Sequence, residues 1–592
     1  MEKKRHTWDL SEFYKSIHDP KIENDIKIIE NFYKSFSKKY KSLTFLKSDS
    51  ALLAALIDYK KLLEKLGKIH PLTYLHFFQA VDQHNEKLEP LIVKYSSRLT
   101  KAYSEMIFFT LSISKLDQKR QDKILKDKKF SEFKYFLERL FISGKHALTE
   151  KEENMSNLFY EPAFGMWERG VEKATSEKKV NCDGKEIPLP EAFNKLTVLP
   201  TDKRRELHYK IMTELKKDAH FATCEINALY NFKKIQDDLR KYKKPYDATL
   251  ESHEIDEKTL NSLRKAISNN ISIPKDFYKI KAKMLGLEKL KYPDRVASVG
   301  EINMKCTFEE SCKLFTKALD NFDDSSDPKL GSYSDIFDNF LKNNQLDVYP
   351  KQGKVGGAFC AGGFGHRTYV LLNHADTQDS FMTLAHEMGH GFHAEFSKTQ
   401  SVLYEGHTIA VAEVASTFFE RIAFDEILAK ASPEEKKILL HDRLQDDVQT
   451  IFRQMACFEF ENALHELIRK NGAATTTEIL DLMNKHMSWY LGDAFELTPE
   501  DAYLFVHWGH LRRFFYVYSY AYGQIISRAL YEKSKQDKSY KEKIKKFLSA
   551  GGSMTPHDIF KSIGINTADP KFFEGGLKSI EGDLSELEKL VS

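Results

Sequence analysis

Glycine and proline are scarce in these 592 residues, together about 7% of the chain against a typical ~12%. So few chain breakers favour long helices over many short strands, and all-β or collagen-like architectures are excluded. Cysteine is equally sparse. The six present (Cys182, Cys224, Cys306, Cys312, Cys360 and Cys457) show no paired spacing of zinc-ribbon or redox type, which predicts reduced thiols in a cytoplasmic protein. No run approaches the ~18 apolar residues a membrane span needs. The start, Met1 to His6, is not followed by an apolar core of signal-peptide length. A soluble protein with no membrane partner is expected. Neither sign of charge dominates, with 90 Lys+Arg against 87 Asp+Glu, so no global field draws the chain to nucleic acid or anionic lipid. The basic runs at Lys38-Lys39 and Lys543 to Lys546 are read as solvated surface, and no nucleic-acid partner is expected.

Bulky apolar groups are plentiful: hydrophobic residues make up 41% of the chain, with 42 Phe and 27 Tyr. That is ample for a packed core, and the length suggests two to four domains or one large helical body with lobes. From Trp8 to about Lys178 the pattern is helical almost throughout. Leu52, Leu53, Leu56, Ile57, Leu62, Leu63 and Leu66, for example, fall near the spacing of one helix face. A break follows from Val180 to Pro200, where Asp183-Gly184 marks a tight turn. A boundary is placed there, giving an amino-terminal helical lobe (1–199) and a second domain (200–592). Helical pattern then resumes to about 320, and Asp323 to Ser334 reads as a polar loop.

Six glycines crowd between Gly353 and Gly365, a loop that exposes its backbone. It does not follow a strand or open a helix as phosphate-binding glycine loops do. Instead it leads into Arg367 to Asn373, a β-branched and aromatic stretch that reads as a strand.

Beyond potential N-caps at Asp376 to Ser380, the stripe Phe381, Leu384, Met388, Phe392 and Phe396 predicts a helix. It carries His386-Glu387-Met388-Gly389-His390. Two imidazoles four residues apart on a helix point the same way and can share one tetrahedral metal. Glu387, beside the first of them, is placed to reach a metal-held water instead of the metal. The position six residues past His390 is Phe396, so a third ligand must come from elsewhere. Glu395, Glu405, Glu413 and Glu420 are the candidates. Glu395 shares the helix but points away, and Glu405 sits beside Gly406 in the connecting loop. Glu413 stands alone in Ile409 to Phe419, an otherwise apolar or small helix, where a carboxylate needs a partner or a metal. Ala412, Ala415 and Ser416 around it allow close approach to the His helix. Glu413 is therefore the predicted third ligand. Glu420, two turns on, suits a hydrogen bond from a ligand imidazole.

These segments, together with Gly356-Gly357-Ala358-Phe359-Cys360, Phe515 to Ala521 and a tail running from Gly551-Gly552-Ser553 to Gly576, resemble oligoendopeptidase F and its relatives, including thimet oligopeptidase and the dipeptidyl carboxypeptidases. The resemblance is clear from about 200 onward. It implies a mainly α, two-lobed zincin-type metallopeptidase with a deep substrate channel and a small β element beside the active-site helix. It further implies one Zn2+ per chain on His386, His390 and Glu413, with Glu387 as general base. Short unstructured peptides would be cut internally and folded proteins excluded. The loop at Gly356, Gly357 and Ala358, the strand bearing Tyr369 and the cleft residue His393 are expected to meet substrate, the strand by β-addition. Oxyanion donors are implied on a His-containing loop and the Tyr-rich helix after it, which points to His507 or His510 with Tyr516 or Tyr518. Relatives commonly carry aromatic and Pro residues where this chain has Leu511 to Phe514. The alternatives are a metallocarboxypeptidase or dipeptidyl carboxypeptidase on the same fold and, from another class, a catalytically degenerate helical peptide-binding protein. The oligomeric state is left open.

Overall fold

The computed structural model describes residues 6–302, 304–323, 325 and 327–592. The expected leader-free start at Met1 to Arg5 lies outside the described residues, as do Asp324 and Ser326 of the polar 323–334 stretch. The chain is about 70% helical with few strands, mainly α as composition demands. The Leu52 stripe shows why. Ser48 caps the helix Asp49–Leu66 by accepting from the Ala51 N–H, and Leu52, Ala55, Leu56 and Leu62 bury one face of it. Ile57, at the edge of the predicted stripe, stays exposed.

The chain divides into two compact units, each assembled from three sequence segments: Met1–Ala147 with Met304–Glu426 and Asp537–Ile563, and Leu148–Asn303 with Ile427–Gln536 and Gly564–Ser592. The residues on either side of 200 share the second unit. There β1 (Lys179–Cys182) and β2 (Lys185–Pro188) form an antiparallel hairpin around Asp183-Gly184. Both turn residues have positive φ, 51° and 86°, the backbone that a two-residue hairpin loop requires. Val180 and Ile187 bury the hairpin's inner face, and it packs against the helix Thr201–Lys216.

In the first unit the amino-terminal residues pack on the sheet that carries the glycine loop. The order is β3 (Leu346–Asp347), β5 (Tyr369–Leu371), β4 (Phe359–Ala361), with β3 parallel and β4 antiparallel to β5. Trp8 Nε1 donates to the Val370 carbonyl at 2.8 Å. Phe13, Tyr74, Phe77 and Tyr369 share one buried cluster. The strand expected at Arg367 to Asn373 is therefore present but central. Both its edges are taken, so it cannot accept a further strand. The edge strand of this pair is β4.

Candidate active site

Thr377 caps the helix Gln378–Ser397 by accepting from the Ser380 N–H. The helix buries Phe381, Leu384, Met388, Phe392 and Phe396, the predicted stripe, against the interior of the first unit. His386 and His390 project together, their ring centroids 5.1 Å apart. Glu413 reaches them from the helix Ile409–Lys430. One ligand atom from each of the three lies within 4.8 Å of the others. Close helix contact makes this possible: a Cβ on Gly389 would stand 2.6 Å from the Ser416 Cα and 2.8 Å from the Ala415 carbonyl oxygen. Only glycine fits there.

The donor set suits a zinc ion. His386 Nδ1 lies 3.1 Å from Glu420 Oε2, which leaves Nε2 turned toward Glu413 Oε2 at 3.7 Å. A carboxylate on the far nitrogen fixes the tautomer in which Nε2 offers its lone pair. Burial, then the charge on His386, pushes His390 down to about 3, so its imidazole is neutral and able to ligate. His386 is held above its ordinary range because the Glu420 hydrogen bond, with the charges of Glu420, Glu387 and Glu413, outweighs burial. Ser416 Oγ donates to Glu413 Oε2 at 3.3 Å. Glu387 is 7% exposed, and burial, reinforced by the Glu413 charge against that of His386, pushes its carboxyl up to about 7.

Two cavities meet at this helix. One of about 800 Å³ is lined by Phe359, Cys360 and Ala361 of β4, by His386, Glu387, His390 and Glu413, and by Glu405 and His407. Another of about 460 Å³ is lined by Gly357, Leu372, Asn373, Thr383, Glu420 and again His386 and Glu387. Ala358 lines both. Asn373 Nδ2 donates to the Val355 and Gly357 carbonyls at 2.9 and 2.8 Å and so holds the glycine loop to the sheet.

Several expected substrate residues stand elsewhere. Tyr369 is fully buried, its hydroxyl donating to the Asp9 carbonyl at 2.9 Å and to Glu12 Oε1 at 2.8 Å. Its side chain belongs to the core, because a central strand buries both faces here. His393 is also fully buried, stacked on His407 at 3.8 Å between centroids, and it is His407 that reaches the cavity. Gly356 is exposed and lines neither cavity. Sequence reasoning missed the cavity roles of β4, Glu405 and His407, because only the path of the 399–408 connection reveals them.

The aromatic carboxy-terminal segment lies in the second unit. His510 Nδ1 and the Tyr516 hydroxyl are 2.5 Å apart, and both side chains are partly exposed. Together with His507 they line a cavity of about 340 Å³. His507 stacks on Phe193. Tyr518 is fully buried, its hydroxyl 3.0 Å from His253 Nδ1. The helix begins at Tyr518, so Tyr516 precedes it instead of lying on it as expected. Phe514 and Phe515 explain the late start: their φ angles of 38° and 60° cannot continue a right-handed helix. Two buried carboxylates brace this turn. Glu461 accepts the Phe515 N–H at 2.9 and 3.0 Å, and Glu225 takes the Arg512 guanidinium at 3.1 and 2.6 Å.

A helical fold with His-Glu-x-x-His on one helix and a glutamate on the next defines a metallopeptidase. The model of peptidase family M3 matches residues 197–579, and the chain belongs to that family. It is 26% identical to the oligopeptidase PepF of Bacillus subtilis across 100% of this chain and 88% of that one. It is also 26% identical to the oligoendopeptidase F homolog of Borreliella burgdorferi, with 98% of each chain covered. The crystal structure of oligoendopeptidase-F from Enterococcus faecium shares its fold with a TM-score of 0.70 at 19% identity, over 96% of this chain and 99% of that one. A Chlamydophila abortus protein of known structure gives 0.85 at 21% identity, over 99% and 98%. The resemblance drawn from the motifs holds along the whole chain.

Proposed function

We propose that this protein is a zinc oligoendopeptidase that cuts internal bonds of short unstructured peptides in the cytoplasm, with one zinc per chain on His386, His390 and Glu413. The observation that carries the reading is that Glu387, beside those three ligands, lines two cavities, one running along the amino-terminal half of its helix (Ser380, Met382, Thr383) and one along the carboxy-terminal half (His390, Ala394, Ser397). An endopeptidase needs room for chain on either side of the reacting bond, whereas a carboxypeptidase needs one side closed. The oligopeptidase and oligoendopeptidase names of the relatives support the same choice. Six free cysteines suit a reducing compartment, and no helix among the described residues is long and apolar enough to cross a membrane. The family match starting at 197 supports reading 200–592 as the catalytic portion and 1–199 as an amino-terminal lobe, although the compact units interleave the two.

A zinc ion held by the three ligands supplies Lewis acidity toward a water molecule and toward the scissile carbonyl. Glu387 takes a proton from the attacking water on a carboxylate oxygen and returns it to the leaving amine nitrogen. Its burial disfavours the charged carboxylate and so favours uptake of the proton from water. Glu420 holds the His386 ring in the ligating tautomer. The β4 edge, with Ala358, is suited to aligning an extended peptide backbone. The family resemblance points to His510 and Tyr516 as the oxyanion donors; their mutual 2.5 Å contact takes one of the pair's two protons and leaves one to donate.

The test is metal analysis with peptide digestion. About one zinc per chain should be found, chelation should abolish cleavage, and Glu413→Ala should lose the metal. Glu387→Gln should keep the metal while kcat falls by roughly 10² to 10⁴. End-blocked peptides should be cut internally. Release of carboxy-terminal residues alone would favour the carboxypeptidase reading.

A further inference from the structure

The cavity beside the catalytic helix holds a carboxylate that the mechanism does not use. Glu405 lines the same 800 Å³ space as Glu387 and the metal ligands. It is 8% exposed, and its Oε2 is buried with no hydrogen-bond partner among the described residues. Burial, with the charge of Glu395 and against that of Lys398, raises its pKa. Lys398 offsets this only in part, because that ammonium is paired with Glu395 at 2.6 Å and makes no ion pair with Glu405.

A side chain left so exposed to desolvation would swing away if its loop allowed it, but the loop is pinned from both ends. The Gly552 N–H donates to the Tyr404 carbonyl at 2.7 Å. A Cβ on Gly551 would lie 2.3 Å from that same oxygen, and one on Gly552 would lie 2.1 Å from the Gly406 carbonyl oxygen. The Gly551-Gly552 pair of the tail is thus required where it crosses residues 404–406. Gln400 Nε2 donates to the Ser549 carbonyl at 2.7 Å, and the Tyr404 hydroxyl donates to the Glu132 carbonyl at 2.8 Å. On the other side of Glu405, His407 is stacked on the buried His393. The fold therefore holds a nearly buried, unpartnered acid on the wall of the substrate cavity, where its desolvation is unfavourable until a cation arrives.

We propose that Glu405 is a specificity-determining residue that receives a cationic group of the peptide, either the ammonium or guanidinium of a lysine or arginine side chain or a free amino terminus. This rests on the peptidase reading above and narrows the substrate class within it. Pairing inside a cavity excludes water from the contact, so a charge-assisted hydrogen bond there discriminates far more than at the surface.

The experiment uses the zinc-loaded full chain and peptides of one length. In one set both ends are blocked and each position in turn carries Lys, Arg, norleucine or Glu; a second set compares free with acetylated amino termini. The readout is the ratio of kcat/KM between paired peptides in one enzyme preparation, which cancels any difference in folded or metal-loaded fraction. In wild type, Lys or Arg at one position should exceed norleucine by about 10-fold or more, or the free terminus should exceed the acetylated one by as much, which names the source. Glu405→Gln should bring that ratio close to one. Glu405→Lys should reverse it in favour of Glu at the same position, or of the acetylated terminus. Flat ratios in wild type, or a ratio that survives in Glu405→Gln, would overturn the assignment while leaving the peptidase reading intact. Cleavage of no peptide in either set would overturn both.

Discussion

His386 and Glu420 are joined through Nδ1 and Oε2 at 3.1 Å, a contact between neighbouring helices that determines which nitrogen of the imidazole faces Glu413. Removing the acceptor should weaken metal binding without removing a ligand. Glu420→Ala is expected to lower zinc affinity by roughly 10- to 100-fold, and activity should return as zinc is added. Competition with a chelator of known affinity measures this. An unchanged affinity would mean that the ring is held by packing alone.

Gly389 offers a sharper structural test. A methyl group there has nowhere to go, since the Ser416 Cα would be 2.6 Å from it and belongs to backbone. Gly389→Ala should destabilise the protein by about 1 to 3 kcal/mol, as overpacking usually does, and should push Glu413 out of the ligand set. Thermal melting with metal analysis on the same sample reports both effects. Retention of full zinc at wild-type stability would show that the two helices slide freely.

The braced turn at Phe514 and Phe515 separates the candidate oxyanion donors. His510→Ala and Tyr516→Phe should each lower kcat by ~10² to 10³ with little change in KM or zinc content. Tyr518→Phe should act on stability instead, because its hydroxyl is buried against His253. His507→Ala should leave kcat near wild type. A large kcat loss confined to His507→Ala or Tyr518→Phe would reverse the assignment.

Lys281 provides a pH test remote from the metal. Burial pushes its ammonium from the ordinary 10.5 down to about 7, against the favourable charge of Asp442, and Nζ donates to the Arg295 carbonyl at 3.0 Å. The folded protein loses this proton near pH 7, whereas the unfolded chain keeps it to about 10.5. In that window the unfolded state binds more protons, so this group's contribution to stability rises with pH. Its penalty is fully present below about pH 7. The melting temperature of Lys281→Met relative to wild type should therefore be highest near pH 6 and fall steadily toward pH 9. A difference independent of pH would mean that Lys281 is not desolvated.

The proposed metal ligands were legible in the chain because the cues to them are local. Spacing along one helix aligns His386 with His390, and an isolated carboxylate among apolar and small residues marks Glu413 as needing a partner. The helical class followed just as directly from sparse breakers and apolar periodicity. The family motifs named the chemistry for the same reason, since they are contiguous stretches. What the sequence left undecided all depends on segments far apart in the chain. Tyr369, on the strand expected to meet substrate, enters the core because Trp8, Phe13 and Phe77 pack on its ring. β5 is central because β3, at 346, takes one side of it and β4 the other, and β4 is the outer strand that lines the cavity. The boundary near 200 marks where the family match starts, yet the compact units interleave six segments, since burial joins whatever apolar faces meet. Glu405 acquires its place in the cavity only because two glycines at 551 and 552 cross its loop, a contact that no local pattern encodes.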